Sequence, residues 1–312
     1  MISLASDTKF GFVGSPFSAP AELHYRVRLG DEEGYDSFWV GDHLAYSRPI
    51  LDPLLQLAQA SVVSRRLIFG TSVFLLPLRH PTLVAKTVSS LDTLSEGRFI
   101  FGVGIGGEFP EEYAAADVPL PERGARASDA IRVIRRLWGD TQVDAPTSRF
   151  YSTPTLELHP PPTQSGGPPI WVGGRSPSAL ARAGRLGDGW LPYLVTPQMY
   201  TAGLQKIASV SADGDRKTTK FGTGLHLFAR VGNSGTSARD VMAADLSSRY
   251  QMDMGRAVDR YTAYGTPSEV ADVINRFRAA GCRHFVVDFT GDPSEYADQL
   301  VRFAREVRPL VI

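Results

Sequence analysis

The chain has 312 residues, of which 43% are hydrophobic, so it can bury the core of a large α/β domain. Basic and acidic residues number 33 each, and this balance gives no overall field that would favour nucleic acid or an acidic surface. The single cysteine excludes a disulfide framework, and the lack of a signal segment or of an apolar run of ~18 residues predicts a cytoplasmic protein with no membrane partner.

Short β-rich segments alternate with helical patterns along the whole chain. Predicted strands cover 9–13, 37–40, 67–75, 98–103, 169–172, 189–191, 222–231 and 284–289. Predicted helices lie between them at 20–33, 52–64, 81–95, 122–138, 177–186, 197–210, 236–260 and 267–280, with a last one at 294–307. Eight strands with helical crossovers indicate a parallel sheet that closes into a (β/α)8 TIM barrel, and an open doubly wound sheet is the main alternative.

Residues 139–168 interrupt this alternation. The segment is too rich in proline for a helix, and it separates a predicted helix from the next strand. We interpret it as an insertion that, together with 232–262, covers the C-terminal face of the barrel. Since neither flank would form a complete barrel alone, we expect one domain over residues 1–312.

A glycine-rich loop follows the predicted strand at 98–103. The glycines within 102–107 match the G-x-G-x-x-G spacing of dinucleotide sites. In such sites the third glycine lies in the first turn of a helix, whereas here Pro110 follows and no strong helix is predicted before Pro121. We therefore interpret the segment as a strand end that opens into a loop, able to lie against a flat or phosphorylated ligand.

Two candidate proton-transfer groups follow predicted strands. In a (β/α)8 barrel the active site lies at the C-terminal strand ends, where His43 and Glu108 are expected. A histidine exchanges protons near neutral pH, and a carboxyl group in an apolar pocket can serve as an acid. The alternatives are a structural histidine bonded to Asp42 and a solvated carboxylate beside Glu111 and Glu112.

The loop after the strand at 169–172 suits an anion. Gly173 and Gly174 allow close backbone approach, Arg175 adds a cation, and Ser176 followed by proline is a typical helix start. Free amides, the helix dipole and a guanidinium together would hold a phosphate. An ordinary capped helix with a surface arginine is the alternative.

Aromatic residues near the same face are candidates for the substrate pocket. They are Trp39, Phe74, Trp190 and Tyr193. His226 lies mid-strand in an apolar run, and we expect it to be a core residue. No spacing typical of a metal site, a nucleophile elbow or a Walker loop is present, so no metal is predicted.

Several segments together resemble the bacterial luciferase-like oxidoreductases, which use a flavin or a deazaflavin. In chain order these segments are 34–43, 70–73, 91–99, 102–104, 170–174 and 187–190. The resemblance implies a barrel that binds FMN or coenzyme F420 at the C-terminal strand ends, with a cis peptide bond between Ser72 and Val73. It also implies this set of cofactor-binding residues: Ser72, Val73, Gly104, Gly106, Gly107, Gly173, Gly174, Arg175 and Ser176.

The choice between the two cofactors depends on the strand-end loop. Luciferases that use FMN carry an arginine there, and the aligned positions hold Ile105 and Gly106. Members that use F420 resemble this chain in an acidic residue after the glycines, like Glu108, and in an Asp-His pair that ends in His43. We therefore expect F420, with FMN as the alternative.

The resemblance implies hydride transfer between F420 and a small organic substrate, with His43 and Glu108 as catalytic residues. One alternative is a two-component monooxygenase that uses reduced FMN from a partner reductase and dioxygen. Another is a cofactor-binding protein without turnover. The apolar residues of the segment 51–63 occupy more than one helix face, which predicts a homodimer interface there, as the resemblance also suggests.

Overall fold

The computed structural model describes residues 7–14, 19–140, 148–152, 156–212 and 220–312. Its strands are β1 (Lys9–Val13), β2 (Ser37–Val40), β3 (Ile68–Thr71), β4 (Phe74–Leu75), β5 (Phe99–Gly104), β6 (Ile170–Gly173), β7 (Gly189–Leu191), β8 (Gly222–Val231), β9 (Ala263–Gly265) and β10 (His284–Phe289). They pair in parallel in the order β10-β1-β2-β3-β5-β6-β7-β8, and β8 pairs with β10 to close the sheet. The predicted (β/α)8 barrel is confirmed. β4 pairs with β5, and β9 pairs with β8.

Helices follow the strands and surround the barrel. They are α1 (Pro20–Glu32), α2 (Pro53–Ser61), α3 (Pro81–Leu94), α4 (Pro110–Ala115), α5 (Arg123–Leu137), α6 (Pro177–Leu186), α7 (Pro197–Ala212), α8 (Gly235–Tyr250), α9 (Gly255–Tyr261), α10 (Pro267–Ala279) and α11 (Tyr296–Arg302). Most begin at a proline, because the first helical position needs no N–H donor. Asp52, Ser176 and Thr266 cap three of them by accepting backbone N–H groups.

Large side chains fill the interior of the barrel. Trp39 and Trp171 lie with their ring centroids 5.7 Å apart and pack with Val13, Leu191 and Val286. Such a filled interior leaves the ends of the strands as the place for a site.

One helix lies where the sequence predicts none. α4 begins at Pro110, ahead of the predicted start near Pro121. Phe109 is extended (φ −120°, ψ 90°), as expected of a residue before proline. Pro110 disfavours the helical conformation only in the residue before it, Phe109. Proline itself suits the first helical position, so a helix can begin at Pro110. The predicted helix at 236–260 is also divided, because Gln251 adopts the left-handed conformation (φ 54°).

The described part of the predicted insertion lies beside the barrel. Gln164 donates to Asp92 of α3 and to the Phe99 carbonyl oxygen at the start of β5, and the Ser89 hydroxyl donates to the Pro160 carbonyl. This part therefore runs along α3 towards the N-terminal strand ends, as a helix-to-strand connection must. Residues 148–152 lie instead near the C-terminal strand ends, since Tyr151 packs on His80 before α3 and the Ser148 hydroxyl donates to Asp129 near the start of α5. That the insertion covers the cleft stays a prediction, and 141–147 and 153–155 lie outside the described residues.

Membrane-spanning helices are absent from the described part of the chain, where no helix is both long and apolar enough to cross a bilayer.

Candidate active site

A cleft of about 460 Å³ lies at the C-terminal strand ends. Most of the predicted site residues line it: His43, Ser72, Val73, Gly104, Gly106, Glu108, Gly173, Gly174, Arg175, Ser176 and Tyr193. The predicted cis peptide bond between Ser72 and Val73 is confirmed. The loops after β2, β5, β6 and β7 thus meet around one space, as the barrel fold requires.

Glycines form one wall of this cleft for steric reasons. A Cβ at Gly104 would lie 2.3 Å from Val73 Cγ2. Gly106 and Gly107 have φ values of 50° and 118°, which side chains rarely adopt. Gly107 itself lies behind the wall, against Arg123. The loop therefore presents mainly backbone to a ligand.

His43 is held by a buried carboxylate that the sequence does not reveal. Its Nδ1 lies 3.2 Å from Oε1 of Glu112, which also accepts the backbone N–H groups of Leu44 and Ala45 at 2.6 and 3.0 Å. Glu112 is only 1% exposed, whereas Glu108, for which the sequence left a solvated carboxylate as the alternative, is exposed. With its Nδ1 proton directed at Glu112, the ring leaves Nε2 for a substrate. A predicted helix that starts at Pro110 would have placed Glu112 close to the loop that carries His43.

Asp42 is not the partner of His43. Its carboxylate accepts the backbone N–H of Leu75 at 2.8 Å and both terminal nitrogens of Arg79 at 2.6 and 2.9 Å. These bonds fix the end of β2 against β4 and the segment before α3. His43 is therefore bonded to Glu112 and not to Asp42.

Glu108 reaches across the cleft to Tyr193. The Tyr193 hydroxyl donates to Glu108 Oε1 at 2.7 Å. Burial, together with the charge of Glu108, raises the pKa of Tyr193 above its ordinary value, so the hydroxyl keeps its proton. The bond orients the carboxylate that follows the glycine loop.

One end of the cleft has the groups of an anion site. Ser176 caps α6 and accepts the Ala179 N–H at 3.2 Å, and the exposed side chain of Arg175 lies beside it. Arg123, which is not among the predicted site residues, also lines the cleft. Its Nη1 donates to the Leu120 carbonyl, while its Nε is buried with no hydrogen-bond partner among the described residues. Its position in the first turn of the helix predicted at 122–138 could have indicated this.

A second, smaller compartment of about 80 Å³ adjoins the cleft. Its apolar and aromatic walls are Val13, Tyr46, Ile50, Phe228 and Tyr250. His43, Ser72 and His226 line both spaces. The prediction of His226 as a core residue is therefore wrong; its Nδ1 lies 2.8 Å from Ser72 Oγ. Tyr250 belongs to the segment 232–262, which does reach the site.

Three of the predicted substrate-pocket residues lie in the core. Trp39 is in the barrel interior, Phe74 packs on Phe101, and Trp190 stacks on Tyr200. All three belong to strands, where alternate side chains face the barrel axis or the helices and so miss the cleft at the strand ends. Tyr193 lies beyond the end of β7 and does line it.

Metal binding has no support among the residues that the structure describes, since no three His, Cys, Asp or Glu side chains form a possible ligand group there.

Known proteins resemble this chain over most of its length. The model of the luciferase-like monooxygenase family matches residues 4–307. An F420-dependent glucose-6-phosphate dehydrogenase of Microbacterium testaceum is 27% identical over 96% of this chain and 96% of its own length. An F420-dependent hydroxymycolic acid dehydrogenase of Mycobacterium tuberculosis is 33% identical over 70% of this chain and 61% of its own.

A solved structure agrees with the fold. An F420-dependent secondary alcohol dehydrogenase, in complex with an F420-acetone adduct, has a TM-score of 0.84 and 20% identity over 98% of this chain and 99% of that chain.

Proposed function

The chain belongs to the luciferase-like monooxygenase family, and from this premise we propose that it transfers a hydride between coenzyme F420 and a small organic substrate. The observation that carries the proposal is one cleft that joins a glycine wall, an anion-binding end and His43. The relatives named as F420-dependent dehydrogenases support the choice of cofactor.

The residues present fit a flat cofactor with a phosphate. The glycine wall leaves space that a Cβ at Gly104 would fill. At the far end, the guanidinium groups of Arg123 and Arg175 and the backbone N–H of Ser178 in the first turn of α6 would hold the phosphate. When bound, F420 supplies the redox chemistry, because its ring accepts or donates a hydride.

The protein side chains supply the proton chemistry. His43 Nε2 would exchange a proton with the reacting oxygen of the substrate, and Glu112 would stabilise the resulting imidazolium. Glu108, oriented by Tyr193, would exchange a proton with a ring nitrogen of the cofactor. The small compartment beyond Ser72 would hold the substrate.

FMN is the alternative cofactor, and the position of Arg123 beside the glycine loop favours it. Ile105 and Gly106 occupy the positions where the FMN-using luciferases carry an arginine, but Arg123 brings a guanidinium to the same loop from α5. With reduced FMN from a partner reductase, the chain would be a monooxygenase.

We also propose an oligomeric state and a location for the protein. The whole chain would form one domain that works as a homodimer, because Leu55 and Val62 of the predicted interface are exposed. The protein would reside in the cytoplasm, where Cys282, buried and unpaired, would stay reduced.

Titration with F420 and with FMN, separately, tests the cofactor by absorbance and fluorescence. We expect tight binding of F420 and weak or no binding of FMN. Replacing Arg123 by Gln should weaken binding about 10-fold or more, since a charge-assisted bond to phosphate is lost. Binding of FMN alone would favour the monooxygenase, and binding of neither would favour a protein without turnover.

Variants test the catalytic roles. His43→Ala and Glu108→Gln should retain cofactor binding but lose turnover of a panel of small alcohols and ketones by about 100-fold or more, as expected when a general acid or base is removed. Full activity of both variants would contradict the assignment.

A further inference from the structure

A second histidine of the site takes part in a chain of polar contacts that the proposed function does not use. Ser72 Oγ lies 2.8 Å from His226 Nδ1, and His226 Nε2 lies 3.4 Å from Asp288 Oδ2. The other oxygen of Asp288 accepts from Arg249 Nη1 at 2.9 Å. Ser72 directly follows β3, His226 lies in the middle of β8, and Asp288 lies near the end of β10.

The charges of this chain of contacts determine where the protons lie. Burial by itself would raise the pKa of Asp288, but the Arg249 guanidinium and the His226 ring outweigh it and hold the pKa below its ordinary value. Asp288 is therefore an anion, and it favours the tautomer of His226 that carries the proton on Nε2. His226 Nδ1 is then an acceptor for the Ser72 hydroxyl proton.

The chain of contacts runs along the wall of the small compartment, and its Ser72 end also faces the cleft. Ser72 and His226 line both the cleft and the small compartment, and Asp288 forms part of the compartment wall. Arg249 lies at the other end, where it lines the compartment and pairs with Asp245 at 2.8 Å. A substrate oxygen in the compartment would thus meet a hydroxyl whose proton has a ready acceptor behind it.

We propose that Ser72 and His226, with Asp288 as the positioning residue, form a proton-transfer chain to the reacting oxygen of the substrate, beside the one through His43. The inference rests on the proposed function and names a second proton path in the same site. It implies that the substrate carries a hydroxyl or carbonyl group at the reacting carbon.

Alcohol oxidation removes one proton from the substrate oxygen, and on this path Ser72 receives it while His43 Nε2 only hydrogen-bonds that oxygen. The substrate O–H bond breaks and its proton binds Ser72 Oγ, while the Ser72 O–H bond breaks and that proton binds His226 Nδ1. The electron pair left on the substrate oxygen forms the carbonyl bond as the carbon gives up its hydride to the oxidised deazaflavin. Asp288 then faces an imidazolium, and the reverse sequence protonates a carbonyl oxygen during reduction.

A second serine–histidine pair of the same barrel provides the matched control. Ser37 Oγ lies 2.7 Å from His284 Nε2, but this pair lies at the opposite ends of its strands, between the rings of Trp39 and Trp171. The distance from oxygen to nitrogen is like that of the Ser72 pair, but the other ring nitrogen is used and neither residue lines the cleft. Changes at His284 should therefore affect stability and leave the site chemistry alone.

The first test is nitrogen NMR of the chain without cofactor, with the His226 signals assigned by their loss in His226→Gln. We expect a neutral ring with the proton on Nε2, and in Asp288→Asn a larger share of the other tautomer. A cationic ring, or the proton on Nδ1 in the wild type, would overturn the proposal, because His226 could then accept nothing from Ser72.

The second test uses F420 and a panel of small secondary alcohols that includes 2-propanol. We expect His226→Ala to lower kcat about 100-fold with little change in F420 affinity, and added imidazole to restore part of it. His284→Gln should keep its kcat. Unchanged kcat in His226→Ala, or a loss that imidazole does not restore, would overturn the proton path. Failure of the wild type to bind F420 would instead contradict the proposed function, and the NMR result would still decide the hydrogen-bond chain.

Discussion

The pairing of His43 with Glu112 shows how a buried residue can determine the chemistry of a more exposed one. Glu112 accepts three donors, of which two are the backbone N–H groups of Leu44 and Ala45. The carboxylate therefore fixes the loop that carries His43 as well as the orientation of its ring. Glu112 also places a negative charge beside Nδ1, opposite the ring nitrogen that faces the cleft.

Replacing Glu112 by Gln separates these two effects. The amide oxygen can still accept from the backbone, but the charge is lost, so kcat should fall about 10- to 100-fold while KM for the substrate changes little. Steady-state kinetics measure both. Glu111→Gln, at the exposed neighbour, is the control and should behave as the wild type. Equal kcat values in the two variants would contradict a role of the charge.

His284 makes the stability depend on pH. Burial lowers its pKa from the ordinary 6.5 to about 3, so the folded chain keeps this ring neutral. Between these values the unfolded chain binds one more proton than the folded chain, and acid therefore favours unfolding. From pH 7 to pH 5 this group alone should remove about 2 kcal/mol of the free energy of unfolding.

The variant His284→Gln should lose that part of the pH dependence, because glutamine does not titrate and can still bond Ser37. Denaturant unfolding at the two pH values measures the difference. An equally steep dependence in the variant would show that other groups cause it.

At the scale of elements, the sequence predicts the strands of the barrel better than the side-chain partners in the site. Strand bounds follow from short apolar runs between glycines and prolines, and 189–191, 222–231 and 284–289 agree residue for residue with β7, β8 and β10. Local pattern suffices because each barrel strand is buried on both faces and so is apolar throughout.

The missed site residues depend on packing between elements. Glu112 reaches His43 only because α4 forms directly after the glycine loop, and Arg123 reaches the cleft only through the angle at which α5 starts. His226 sits in an apolar strand, and only the register of β8 against its neighbours brings it to Ser72. No local pattern carries such information.

Two glycines of β5 should respond differently to alanine. A Cβ at Gly102 would lie 1.8 Å from the backbone oxygen of Thr71, whereas at Gly104 it would lie 2.3 Å from a methyl group of Val73 in the cleft wall. Backbone cannot move aside, so Gly102→Ala should cost about 3 kcal/mol of stability or prevent folding. Gly104→Ala should unfold at a temperature closer to that of the wild type, because only a side chain must move. It should bind the cofactor more weakly, since Val73 must turn into the cleft. Thermal unfolding and cofactor titration together test this; the reverse order of stabilities would contradict it.

At the scale of the whole molecule, α2 and α3 present an apolar surface that the barrel does not use. The helices pack side by side and run in the same direction, because each follows a parallel strand. Leu55 and Leu83 lie in their first turns, and Val62 and Leu94 at their last turns; these side chains are 58% to 75% exposed. Leu54 and Leu57 of the same α2 are buried in the core, which explains why the segment is apolar on more than one face.

An apolar stripe on two adjacent helices is typical of an interface between subunits, since exposed patches of this kind are rare on monomers. A second copy of the chain would cover it in a symmetric arrangement, with the same patch on both partners. Light scattering should therefore give the wild type a mass of twice 34.0 kDa. In the double variant Leu55→Glu and Val62→Glu, four charges would enter a closed dimer and separate it into monomers. Met252→Glu, at an exposed apolar residue in the turn between α8 and α9, should leave the mass unchanged. A monomeric wild type would contradict the dimer, and a Met252 variant that dissociates equally would show that the stripe is not its interface.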